Sequence, residues 1–376
     1  MMNAADFAEK FPETAAVVQA GIERRLHHGA QIYVSRRGEV LADVGLGIAA
    51  PDVPMTTETV LPWLSSGKPL TAILIARLQE AGRLNCDDKV AAHIPEFGNR
   101  GKEAITIRQL LTHTAGLHPV DPGWPEREWD ESIQRLCTAS LDPQWLIGES
   151  AAYDPMNSWF LLGEIVQRLT GRSFARVMAD DLLKPLGMER TWAALSFDEH
   201  AARQAELGWM WERRFGKLEP LDWHESPRCT RPAPGASLRG PIRELGRFYE
   251  VVWHAITEER PPMPSAALSG EMIRVLTTRQ RIGRFDQTFG HIVDFGLGFL
   301  IDSRQYGADT VPYGYGRFCS PRTFGHGGAQ SSQGSCDPES GLVVAYVFNG
   351  RCGEGQHQRR VRDFHKAVYR DLAGSE

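Results

Sequence analysis

The chain has 376 residues, 42% of them hydrophobic and 24% charged, an ordinary globular composition with room for a large core or two packed subdomains. A formal charge of −5 gives no electrostatic reason to expect a nucleic-acid partner, and no basic run or basic amphipathic stretch stands out. No stretch approaches the roughly 20 apolar residues that span a bilayer, and the acid-containing opening Met1–Lys10 lacks the pattern of a secretion signal, so the expected location is the cytoplasm.

A helix is expected from Glu13 to about His27. Two strands follow, Gln31–Val34 and Glu39–Val44, around Arg36-Arg37-Gly38, where glycine accepts the positive φ of a tight hairpin. Ser65-Ser66-Gly67-Lys68 then opens a helix that carries Leu70, Ile73, Leu74 and Leu78 and stops at Gly82. Being apolar on most sides, it belongs at the centre of the fold. A short helix is expected over Thr106–Thr112. Trp159, Leu162, Val166 and Leu169 recur at helical spacing ahead of Gly171, as do Leu245, Phe248, Tyr249 and Val252. The stretches Pro119–Asp130 and Gly208–Gly235 read as long ordered loops and candidate pocket walls; Trp124, Trp209, Trp211 and Trp223 divide evenly between packing and pocket roles. Strand character returns at Phe295–Ile301, Thr323–Cys336 and Gly341–Asn349, with the turn Asp337–Gly341 between the last two. Val361, Phe364, Val368 and Leu372 mark one face of a closing helix.

Strands at both ends and helices between predict an α+β fold, an antiparallel sheet built from both chain ends, flanked by helices and interrupted by an all-helical insertion. The expected division is 1–84 and 255–376 for the sheet subdomain and 85–254 for the mainly helical one, with the active site at their interface.

Ser65 lies three residues before Lys68, so on a helix the amine can reach the hydroxyl. The helix start offers unpaired N–H groups and a partial positive charge to an oxyanion formed there. A serine hydroxyl is a weak nucleophile until such a base assists it. Alone, Ser-x-x-Lys is common on solvated helix faces. The six cysteines are scattered without a C-x-x-C pair, and the twelve histidines show no H-E-x-x-H, so neither a disulfide framework nor a metal is expected.

Three further segments join the first: Ile105–Leu117 with His113 near its end, Tyr153-Asp-Pro-Met-Asn157 ahead of an amphipathic helix, and Phe324-Gly-His-Gly-Gly-Ala329, whose glycines allow backbone to lie against a ligand. Together, in this order and spread over about Ala30 to Asn349, they resemble the serine β-lactamase and penicillin-binding-protein superfamily, among whose motifs is S-x-x-K. The nearest branch is that of class C β-lactamases, family VIII carboxylesterases and D-aminopeptidases. The resemblance implies a β-lactamase/transpeptidase-like fold with Ser65 as nucleophile, Lys68 as its partner and Tyr153 as the second-motif tyrosine. His326-Gly327-Gly328 matches the third motif, and the N–H groups of Ser65 and Ala329 match the oxyanion hole. His113 is expected to hold a turn.

The chain also departs from the family pattern. The lactamase Tyr-x-Asn reads Tyr153-Asp154-Pro155, which lacks the side-chain amide; Asn157 is the candidate substitute. His326 replaces a lysine and Gly327 a hydroxyl residue, and both changes weaken binding of the carboxylate that penicillins and cephalosporins carry. The expectation is a serine hydrolase forming an acyl-enzyme, a carboxylesterase on a small or medium acyl ester, using no cofactor or metal. Its partner would be a small-molecule ester or amide. The alternatives are an acyltransferase using the same Ser-Lys-Tyr site, a D-amino-acid amidase or peptidase, or a weak β-lactamase. A silent binding protein on the same fold is more remote, since all three residues are present. The oligomeric state is not encoded in any motif.

Overall fold

In the computed structural model the residues described are 2–257 and 269–374. Alternation along two strands, Gly29–Arg36 and Leu342–Phe348, sets the centre of the molecule. Ile32, Val34, Val344, Tyr346 and Phe348 face one side, and Tyr33, Val343, Ala345 and Val347 the other. Both strands are buried almost throughout and pair antiparallel from Ala30 opposite Phe348 to Arg36 opposite Leu342. The two ends of the chain thus meet at the middle of one sheet. Its seven strands run in the order Leu300–Ile301, Phe324–Gly327, Ser332–Asp337, Leu342–Phe348, Gly29–Arg36, Glu39–Ala50 and Val53–Pro54, antiparallel throughout.

Terminal helices cover one face. Ala4–Lys10, Pro12–Glu23 and Glu354–Ala373 bury Phe7, Phe11, Val18, Phe364 and Val368 against it. The helix Ile242–Thr257 packs on the other face, where Gly246 permits close approach: a Cβ there would stand 2.2 Å from the Tyr33 ring. This helix straddles the division expected at 254/255, yet it packs on the sheet. Behind it runs the helix Lys68–Glu80, buried at every residue from Lys68 to Ala76. Its Pro69 sits in the first turn, where no intrahelical N–H bond is lost. Each fully buried Leu or Ile there contributes about 1.5–3 kcal/mol, so the segment that carries Ser65 is anchored by the core itself.

The insertion is not all helical. Met210–Arg214 and Lys217–Leu221 form a hairpin around Phe215 and Gly216, both at positive φ, inside the stretch read as loop. Its residues Trp211-Glu-Arg-Arg214 lack the apolar alternation that marks a half-buried strand, which hid it. Other boundaries also moved. The first long helix ends at Glu23, with Arg25 at φ +54. Thr323–Cys336 is two strands reversing over residues 328–331, and of Phe295–Ile301 only Leu300–Ile301 joins the ladder.

Candidate active site

Ser65 sits in a tight turn, Leu64–Gly67, that runs directly into the buried helix. Leu64 holds φ +52, a conformation costing a non-glycine residue of order 1–3 kcal/mol. Surrounding bonds hold it there. The Trp63 carbonyl accepts from Ser332 Oγ at 2.5 Å, Trp63 Nε1 donates to the Gly240 carbonyl at 2.9 Å, and the Ser66 and Ser332 hydroxyls meet at 2.9 Å. The turn is thereby tied to the sheet strand Ser332–Asp337.

Lys68 is fully buried, and its Nζ has three neighbours: Ser65 Oγ at 3.0 Å, and the carbonyls of Pro155 and Gly235 at 2.7 Å each. Burial lowers its pKa to about 7, opposed in part by the charge of Asp154. The two carbonyls can only accept, so they commit two N–H groups of the amine. The remaining tetrahedral position faces Ser65. When Lys68 is neutral, that position holds its lone pair.

Tyr153 lines the same cavity as Ser65, and burial pushes its pKa well up, offset in part by the Ser65 hydroxyl, so the phenol stays protonated. Its ring lies 4.7 Å from that of His113 and 4.8 Å, stacked, from that of Phe289. The next residue, Asp154, caps the helix Asn157–Thr170: its Oδ1 accepts from the Asn157 N–H at 2.8 Å, and its Oδ2 from the Ser158 N–H and hydroxyl at 2.8 and 2.7 Å. His113 Nδ1 accepts the Asp154 N–H at 3.0 Å, which is the turn-holding part expected of it. The Tyr153 backbone N–H donates to Asp286 Oδ1 at 2.9 Å, and the buried Arg281 pairs with the other oxygen at 2.9 Å.

His326 projects from the strand Phe324–Gly327 into the same cavity. Its Nδ1 meets the Gly327 carbonyl at 2.9 Å, which places the proton on Nδ1 and leaves Nε2 as an acceptor with no protein partner. Burial first, then the Lys68 charge, lowers its pKa to about 3, so the ring is neutral. Gly328 is required by crowding: a Cβ there would stand 2.4 Å from both the Trp63 carbonyl and Ser332 Oγ. That contact brings Ala329 to the cavity wall with Ser65, Tyr153, His326 and Gly327.

The cavity measures ≈ 490 Å³, inside the range of small-molecule sites. Asn157 is not in its wall. It is 1% exposed, and its Nδ2 donates to the carbonyls of Leu117 and Val120 at 2.7 and 2.8 Å. Its amide holds the 117–120 loop, which corrects the expectation that it replaces the missing amide of the second motif. Several residues were not foreseen: the Pro155 and Gly235 carbonyls, Asp286 behind Tyr153, and Phe289, Tyr313 and Glu354 across the cavity. The first two act through backbone, which no residue type announces. The others come from segments of unremarkable composition. Among the described residues no group of three or more His, Cys, Asp or Glu is placed to hold a metal, and no helix is long and apolar enough to cross a membrane.

Comparison with known proteins fits this geometry. The family profile described as Beta-lactamase matches residues 14–367. The chain is 26% identical over 373 residues to Esterase/beta-lactamase LipL of Mycobacterium tuberculosis, covering 91% of this chain and 82% of that protein. A penicillin-binding protein homologue from Caulobacter crescentus superposes with a TM-score of 0.75 at 26% identity, covering 96% of this chain and 98% of the other. EstCE1, described as a hydrolase with promiscuous acyltransferase activity, shares the fold with a TM-score of 0.79 at 19% identity, over 96% and 99% of the two chains.

Proposed function

We propose, from the premise that this chain belongs to the beta-lactamase family of serine hydrolases, that it is a carboxylesterase cleaving small or medium acyl esters through an acyl-enzyme on Ser65. The observation that carries the reading is the closed set of partners around Lys68 Nζ: two carbonyls and one serine hydroxyl. Neutral Lys68 can therefore take a proton only from Ser65. Ser65 Oγ attacks the ester carbon as its proton passes to Lys68. The resulting oxyanion is met by the N–H groups of Ser65 and Ala329, the kind of donor whose loss costs about 10²–10³ in rate. The C–O bond to the alcohol then breaks, and the alcohol leaves with a proton delivered through the Tyr153 hydroxyl. Water attacks the acyl-enzyme by the reverse proton path and frees Ser65 and the acid.

An ester needs nothing more. A penicillin also needs its carboxylate held, and the groups nearest that task are a neutral imidazole, a glycine and a proline. The name of LipL couples both activities, and that of EstCE1 adds acyl transfer, so the competing outcomes are concrete. An acyltransferase would share the first half-reaction and give the acyl group to an alcohol or amine. A D-amino-acid amidase would differ only in its leaving group. Six cysteines, all free and buried, fit a cytoplasmic setting.

The test is kcat/KM for p-nitrophenyl butyrate, benzylpenicillin and a D-alanyl amide with one preparation, with and without an added alcohol. The ester is expected to lead penicillin by roughly ten- to over a hundredfold, the worth of a lost hydrogen bond to a charged group at about 1.5–3 kcal/mol. Penicillin matching the ester would make the chain a lactamase. Product ester outrunning free acid when alcohol is present would make it an acyltransferase.

A further inference from the structure

The wall facing Ser65 is built from aromatic rings that lead to a carboxylate. Phe289 stacks on Tyr153 with ring centres 4.8 Å apart, and Tyr313 follows with its centre 5.9 Å from that of Phe289. The Tyr313 hydroxyl lies 3.2 Å from each carboxylate oxygen of Glu354, and Gln358 Nε2 donates to Oε2 at 3.3 Å. Tyr153, Phe289, Tyr313, Glu354 and Gln358 all line the cavity that holds Ser65.

Tyr313 is held under strain. Its φ is +54, which a bulky residue adopts only when its surroundings impose it. Its N–H donates to Gln358 Oε1 at 2.9 Å, and its carbonyl accepts from Gln333 Nε2 at 2.9 Å. The ring takes the space a side chain at 327 would use, since a Cβ on Gly327 would stand 2.4 Å from Tyr313 Cδ1. Gly327 and Tyr313 are therefore one feature: a hydroxyl position has been exchanged for an aromatic face.

The charges on the wall have one sign. Tyr313 is kept protonated, as is Tyr153 beside this wall, and His326 is neutral, in each case chiefly by burial. Glu354 is the one carboxylate among the residues lining the cavity, and it stands at the start of the helix Glu354–Ala373. No Lys or Arg forms an ion pair with it among the described residues. An aromatic face beside a fixed carboxylate is the arrangement that recognises ammonium groups.

We propose that the cavity takes esters bearing an ammonium group, seated over the Phe289 and Tyr313 rings against the Glu354 carboxylate. The assignment deepens the ester reading above and rests on it. Glu354 and Tyr313 then decide specificity, while Ser65, Lys68 and Tyr153 do the chemistry.

Two isosteric pairs test it: choline butyrate against dimethylbutyl butyrate, and p-nitrophenyl trimethylammoniobutyrate against p-nitrophenyl dimethylhexanoate. Within each pair a quaternary nitrogen replaces a carbon. In at least one pair the charged ester is expected to lead in kcat/KM by about tenfold or more. That ratio should collapse toward one in Glu354→Gln, shrink less in Tyr313→Phe, and fall as salt is added to the wild type. Reading the ratio cancels any general loss of activity in a variant, and the salt series needs no variant at all. A ratio near one in both pairs, a lead that survives Glu354→Gln, or a lead indifferent to salt overturns the assignment. The neutral esters separate the two failures: turnover with a ratio of one removes only the ammonium group, while no turnover of any ester removes the ester reading with it.

Discussion

The two walls of the cavity are made by opposite means. On one side Lys68 is fully buried, its amine enclosed by two peptide carbonyls and Ser65, and the segment is anchored in the central core. On the other side stand aromatic rings and a carboxylate that reaches solvent, hung from the first turn of the last helix. The first wall is built from position, and on the proposed reading almost any change to it breaks the reaction. The second is built from shape and charge, so on the proposed reading changes to it redirect the reaction. The proposed function thus makes chemistry and specificity separable, and that separation can be tested.

The largest effects belong to the first wall. Ser65→Ala should lower kcat by about 10⁴–10⁶ and abolish labelling by a fluorophosphonate, read as added mass on the peptide containing Ser65. Tyr153→Phe keeps the ring and removes the proton path, for an expected loss of about 10²–10⁴. Combined with Lys68→Ala it should be little worse than the worse single variant, because groups that act as a unit lose their contribution together. Losses that multiply would mean the two residues act separately, and the first wall would not be one device.

Stability should follow the same division. Asp286 is fully buried, and its Oδ1 accepts from the N–H groups of Tyr153, Thr288 and Phe289 while Oδ2 pairs with Arg281. Asp286→Ala leaves a buried guanidinium unpaired and is expected to cost about 3–5 kcal/mol in denaturant unfolding. Glu354→Gln, at the open wall, should cost about 1 kcal/mol or less. Asn157→Ala should cost about 1–3 kcal/mol by orphaning the Leu117 and Val120 carbonyls, with ester kcat/KM little changed. A large loss of ester activity there, without a matching loss of stability, would return Asn157 to the substrate site.

The same division governs what could be read from the residues alone. Ser65, Lys68, Tyr153 and His326 stand in motifs whose spacing carries their geometry, and the structure brings them to one place. The central strands were legible because they are short runs rich in β-branched and aromatic residues, Leu342–Phe348 without a polar interruption. The hairpin Met210–Leu221 was not, because its first strand lacks apolar alternation and its other edge is completed by Gly350 and Arg351, far along the chain. Asn157 misled for a related reason. A polar residue two positions beyond a motif looks available, and only packing shows that its amide is already committed to a loop. Phe289, Tyr313 and Glu354 left no pattern at all, since a specificity wall is assembled from separate segments with no spacing in common.

The smallest effect is a pH dependence, and it tests how the first wall works. Lys68 must be neutral to take the Ser65 proton, and burial lowers its pKa to about 7. Below that value the amine is protonated, so kcat/KM for a neutral ester should fall by about tenfold per pH unit and level off above it. His326 ordinarily titrates near this range, but its pKa is lowered to about 3, so it should contribute no inflection. His326→Gln therefore should lower the plateau without moving the midpoint. Asp154 acts in the opposite direction, since its charge favours the ammonium form of Lys68. Asp154→Asn removes that charge while keeping an oxygen to cap the helix, and the midpoint should move to lower pH. The sign is the discriminating part. A base whose pKa is depressed by burial and supported by a nearby anion must titrate lower when the anion is removed. A midpoint that moves up, or that disappears with His326→Gln, would give the proton to another group and leave Lys68 as a fixed cation beside the nucleophile.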